Sequence, residues 1–114
     1  MLDSRNPTVF FELGLLRYNN KDYKGAVSAL EQATTLEPSY ANARYFLGLA
    51  YDKLSRRSDA IAEFETIQKS NPDNQEVQLI LNNLRAGRTP LSNAKPPIST
   101  KPESRKNLPL PEKN

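Results

Sequence analysis

Two triplets, Leu13-Gly14-Leu15 and Leu47-Gly48-Leu49, stand 34 residues apart in this chain of 114. Glycine inside a helix costs ~1 kcal/mol against alanine, so its return in the same apolar setting needs a packing reason. The recurrence also constrains the fold. Units repeated at such a period are small supersecondary structures whose apolar faces are buried by their neighbours.

Aligning the two glycines brings out the rest of the unit. Phe10, Leu13, Gly14, Ala26, Leu30, Ala33 and Pro38 fall 34 residues before Arg44, Leu47, Gly48, Ala60, Phe64, Ile67 and Pro72. Five of these pairs are identical or both large and apolar, Ala33/Ile67 keeps apolar character, and Phe10/Arg44 does not match. The pattern resembles the tetratricopeptide repeat, a helix–turn–helix unit. The resemblance implies an all-α, right-handed superhelical stack of antiparallel helix pairs, with repeats at 7–40 and 41–74 behind a short lead over 1–6. It places Leu13, Gly14, Ala26, Pro38, Leu47, Gly48, Ala60 and Pro72 as the helix-packing signature, with the glycines opposite Ala26 and Ala60.

Local signals predict five helices. Asn6-Pro7 supplies a cap and a proline at the first helical position, opening a helix over 7–19. Asp22 is the expected cap of a helix over 23–36, which Pro38 ends because the residue before proline avoids the α region. Ser39 and Ser58 are the expected caps of helices reaching about 54 and 69, and Asp73 with Glu76 forms a capping-box-like start for 74–86. This fifth helix, within a capping segment 75–87, resembles half of a third repeat with Asn82 in the glycine's place. In the family such a terminal helix covers the last repeat, and Gln75, Gln78, Asn82 and Asn83 give it a polar outer side.

Residues 88–114 differ in composition. They hold six of the nine prolines, and six basic residues against two acidic ones, while residues 1–87 carry a net charge of −1. The sequence pI near 9.3 therefore belongs to the tail. The reading is a Pro-rich, basic, disordered tail. Six dispersed cations without aromatics make nucleic acid an unlikely partner. No apolar run approaches ~18 residues, and no signal-peptide core opens the chain, so the cytoplasm is the expected compartment.

Histidine and cysteine are absent, which removes the usual general bases, thiol nucleophiles and thiolate metal sites. Asp22, Asp52 and Asp59 lack metal-ligand spacing, and four isolated glycines make no phosphate loop. The expectation is a non-enzyme without cofactor or metal. The family resemblance implies instead a scaffold or adaptor whose concave groove holds a peptide or helix. Its groove positions carry over to Phe11, Leu15, Tyr18 and Asn19, then Asn42, Tyr45, Leu49, Asp52 and Lys53, then Glu76, Leu79 and Asn83. The spacing agrees, since Phe11, Leu15 and Tyr18 follow i, i+4, i+7, as do Tyr45, Leu49 and Asp52. Asn19, Asn42 and Asn83 are the expected anchors for a partner's backbone, while Leu13, Leu16, Phe46, Leu47, Ala50 and Leu54 are expected to face the core. Alanine at both Phe11 and Tyr45 is expected to abolish binding and keep helicity. The family's clamp for chaperone carboxylates is not expected, because its positions hold Phe11, Leu15, Phe46, Glu76 and Ile80. The alternative is a self-associating (homodimeric) or spacer segment of a larger bacterial, membrane-associated assembly protein.

Overall fold

The computed structural model describes residues 5–93. Five helices follow one another: α1 (Pro7–Asn19), α2 (Tyr23–Leu36), α3 (Ala41–Lys53), α4 (Arg57–Ser70) and α5 (Gln75–Arg85). There is no strand among the described residues, and none of their helices is long and apolar enough to cross a membrane. Links this short turn each helix back on the one before, so every consecutive pair packs together, and α1 also reaches α3. One core runs through the stack, from Ala26, Leu30 and Ala33 through Ala43, Leu47 and Ala50 to Ala60, Phe64, Val77, Ile80, Leu81 and Leu84.

The glycines are explained by what faces them. A Cβ on Gly14 would lie 2.5 Å from Leu30 Cγ, and one on Gly48 would lie 2.5 Å from Phe64 Cε2. The close neighbours are thus the large residues of the partner helix rather than Ala26 and Ala60, which are buried elsewhere in the same core. Leu30 and Phe64 are both 0% exposed. Burying a side chain of this size stabilises by roughly 1.5–3 kcal/mol, which outweighs the lost helix propensity.

Asn6 and Asp22 cap as expected, accepting from the amides of Thr8 (2.9 Å) and Gly25 (3.0 Å). Three other caps differ from expectation. Helix α3 starts after Tyr40, not Ser39, and Tyr40 makes no side-chain cap bond; its ring stacks 5.0 Å from Phe11 instead. Helix α4 starts after Arg56, because Ser55 adopts φ +62° and the Arg56 amide closes on Tyr51 O at 2.8 Å, leaving Ser58 inside the first turn. Helix α5 is capped by Asn74, whose Oδ1 accepts from Val77 N, one residue later than Asp73. In each case the cap is the residue that the preceding turn delivers, one after Ser39, two before Ser58 and one after Asp73.

Helices α1, α3 and α5 end alike. The residue after each C-cap (Lys21, Ser55, Gly87) takes a left-handed φ of 64°, 62° or 81°. The next amide then bonds back to the helix: Asp22 to Arg17 O, Arg56 to Tyr51 O, Arg88 to Asn83 O. This is the Schellman closure, and glycine fits it without a Cβ penalty at Gly87 alone.

Helix α5 buries Val77, Ile80, Leu81 and Leu84 and exposes Gln75, Glu76, Gln78 and Asn82, with Arg85 paired to Glu65 at 2.8 Å. Residues 88–93, the start of the stretch read as tail, turn back and pack onto the helices. The disorder expected of residues 94–114 lies outside the described residues.

Candidate functional site

Helices α1, α3 and α5 contribute to one face, and Phe46 of α3 is the hub of its aromatic cluster. Its ring centroid is 6.2 Å from Phe11, 5.8 Å from Tyr18 and 5.3 Å from Tyr45. Tyr45 also meets Phe64 edge-on at 5.6 Å, and Tyr18 meets Tyr23 at 5.4 Å. Edge-on pairs of this kind add ~0.5–1.5 kcal/mol beyond area burial. Phe11, Tyr18, Tyr45 and Phe46 are all half-buried and pack against the core. The rings therefore serve two sides, and replacing Phe11 and Tyr45 together would strip core contacts as well as surface. That double variant is therefore expected to lower stability as well as binding.

Two hollows lie along α3. Asn42, Tyr45, Phe46, Asn71, Asn74, Glu76 and Val77 line the first, near the start of the helix. The second, at its other end, is lined by Tyr18, Leu49, Asp52 and Lys53 together with Thr89, Pro90 and Leu91. Of the sequence-derived positions, Tyr18, Asn42, Tyr45, Asp52, Lys53 and Glu76 border a hollow, and Leu49, 9% exposed, forms floor. Phe11, Leu15 and Leu79 are half-buried, and Asn19 is exposed but borders neither hollow. Leu16, expected to face the core, is 59% exposed.

Asn83 is fully buried and already engaged. Its Nδ2 donates to Pro90 O (2.9 Å) and Ser92 O (2.7 Å), and its Oδ1 accepts from Arg88 Nε (3.0 Å). The amide expected to hold a partner's backbone holds the chain's own. A bond between the Thr89 and Ser92 hydroxyls (2.6 Å) closes this strap, and buried Pro90 fastens it at the Lys53 end of α3. Residues 89–91 border the second hollow without having been expected there, and Phe46 borders the first while also packing against the core as expected. The available signal was Asn83 itself, a polar residue set between Leu81 and Leu84 on the buried side of α5.

The two hollows hold two carboxylates, Asp52 and Glu76, and one cation, Lys53. Among the described residues neither Asp52 nor Glu76 forms an ion pair. Lys53 instead reaches over the Tyr23 ring, 5.9 Å from its centroid. Burial raises the Tyr18 phenol pKa, aided by Tyr23 and Asp52, and raises Tyr45, aided by Glu76 and Tyr18. On α3's other side burial also raises Tyr51, helped by the hydrogen bond it donates to Glu31 at 2.5 Å.

A phenol whose pKa is higher folded than unfolded stabilises fully below the unfolded value, near 10, and that contribution is lost as pH rises towards the folded value. With no histidine to titrate, stability should be nearly flat from about pH 6 to 9 and fall above about pH 10. Urea unfolding across this range, with tyrosinate absorbance followed in parallel, checks both parts. Tyrosines that ionise at their ordinary pH in the folded protein would contradict it.

Comparison with known proteins agrees with this architecture over most of its length. The model of the tetratricopeptide repeat family matches residues 18–84, from the end of α1 to the last turn of α5. No curated protein matches the chain.

Proposed function

This chain belongs to the tetratricopeptide repeat family, and we propose that it is a non-catalytic adaptor holding an apolar and basic peptide or helix against α3. The family's usual role, protein–protein contact, supports a protein as the partner. The observation that carries the finer reading is the pairing of half-buried tyrosines with carboxylates lacking an ion pair: Tyr18 beside Asp52, and Tyr45 beside Glu76. Half-buried rings offer apolar area with a polar tip, and a carboxylate beside them favours a cation from the partner and repels an anion. Asn42, exposed at the first hollow, can bond an incoming backbone, whereas Asn83 is taken by the strap.

The test uses a synthetic amphipathic helix of leucine and lysine and its leucine–glutamate counterpart, titrated against the chain by calorimetry. The lysine peptide should bind and the glutamate peptide should not. Asp52→Lys with Glu76→Lys should weaken binding at least ~10-fold at unchanged melting temperature. Equal binding of both peptides, or of neither, would defeat this reading.

A further inference from the structure

The strap at the Lys53 end of α3 is held as a ligand is held. Thr89–Ser92 forms a β-turn: the Ser92 amide donates to Thr89 O at 3.1 Å, and Pro90 takes the second position, where its fixed φ suits the turn. Of these four residues Pro90 alone is buried, while Leu91 is 44% exposed. Proline fits a buried place here because it has no N–H to satisfy. Its carbonyl accepts from Asn83 Nδ2 at 2.9 Å, and the same nitrogen donates its other hydrogen to Ser92 O at 2.7 Å. One carboxamide thus holds two carbonyls that stand two residues apart.

Only such a turn accounts for Asn83. The residue is 0% exposed on the apolar side of α5, and each side-chain bond it makes among the described residues runs to Arg88, Pro90 or Ser92. Beside it Tyr18, Leu49, Asp52 and Lys53 line a hollow whose far wall is the turn itself. Gly87, at φ 81°, is exposed and serves to reverse the chain. The contacts are made by groups that a separate peptide also carries. The sequence holds a second segment of the same pattern, since Pro90-Leu91-Ser92 recurs seven residues on as Pro97-Ile98-Ser99.

The geometry points to a binding site for proline–aliphatic–serine turns, built from Asn83 and the Lys53 end of α3 and filled in this chain by its own Thr89–Ser92. The inference rests on the reading of α3 as a peptide face and adds a ligand of different chemistry. A tethered segment meets its site at an effective concentration of about 1 mM. It stays docked only if the same segment, untethered, binds with a Kd below that value, and a free peptide has to outcompete it in the native chain.

The probe is the capped hexapeptide Arg-Thr-Pro-Leu-Ser-Asn, titrated by NMR against the isotope-labelled full chain. Pro90→Asp with Pro97→Asp opens the site, disabling both the turn and the segment that shares its pattern. This opened chain should bind the peptide with a Kd below ~1 mM and shift the Asn83 side-chain amide, and the native chain should bind at least ~10-fold more weakly. Should the opened chain lose helicity, Pro90→Gly with Pro97→Gly replaces it. Adding Asn83→Asp, which keeps the shape and removes both donated hydrogens, should abolish binding. On the ligand side, a peptide with alanine in place of proline should bind the same opened chain at least ~10-fold more weakly. No binding to the opened chain below ~1 mM overturns the proposal. So does equal binding by the native chain or of the alanine peptide. The leucine–lysine helix can fail to bind while this peptide binds, and the reverse, so the two readings fail separately.

Discussion

Gly48→Leu is expected to unfold the second helix pair. Already the first carbon added at this position lies 2.5 Å from Phe64 Cε2 and 3.0 Å from Cδ2 and Cζ. The ring cannot retreat, since it is fully buried and braced 5.6 Å from Tyr45. Overpacking of a tight core costs ~1–3 kcal/mol and more when backbone must move; a branched side chain here forces α3 and α4 apart. A domain of this size holds only ~0.05–0.15 kcal/mol per residue, so the melting temperature should drop by ~10 °C or more. Gly48→Ala separates the causes. In the native background the clash should outweigh the ~1 kcal/mol gain in helix propensity. With Phe64→Ala in place the obstacle is gone, and Gly48→Ala should become stabilising. A cycle of the four proteins measures that reversal of sign. Additive effects would mean that the glycine serves some purpose other than making room for the ring.

Asn83→Leu is expected to release the strap while leaving α1 to α4 folded. The substitution removes two donated bonds to Pro90 O and Ser92 O and the acceptor for Arg88 Nε. Each such bond is worth ~0.5–1.5 kcal/mol net, and a buried carbonyl left unpaired costs ~1–3 kcal/mol. The strap has a cheaper escape: by lifting off, it returns those carbonyls to water. The loss is thus local and capped at the free energy of strap docking, ~1–3 kcal/mol. Cleavage by trypsin after Arg88 should accelerate at least ~10-fold, with amide exchange at Ser92 rising in step and the main thermal transition almost unmoved. Unchanged cleavage would mean that Pro90 and Leu91 hold the strap without the amide.

How much the chain disclosed in advance varies by element. The period of 34 and the order of the five helices follow from residue types alone, because apolar spacing and proline stops are properties of the strand of sequence itself. Tyr18, Asn42, Tyr45, Asp52, Lys53 and Glu76 were likewise placed on one face by spacing together with the family pattern, and each borders a hollow. Phe46 shows the limit. A side chain one step from both the core stripe and the groove stripe belongs to whichever neighbours approach it, and Phe11, Tyr18 and Tyr45 all do.

Sequence by itself determined the unit, its length and the two glycines at a close helix approach, but only the packing made Leu30 and Phe64, not Ala26 and Ala60, the residues that face them. Only the tertiary structure decided which ends and edges are covered. Leu16 and Ala50 occupy the same position of the same unit, yet one is 59% exposed and the other 0%, because α1 and α2 pack against α3. Asn83 is the converse case. An amide can bond a partner or its own chain with equal chemistry, and the turn at Gly87 settles the choice by bringing Pro90 and Ser92 within its reach.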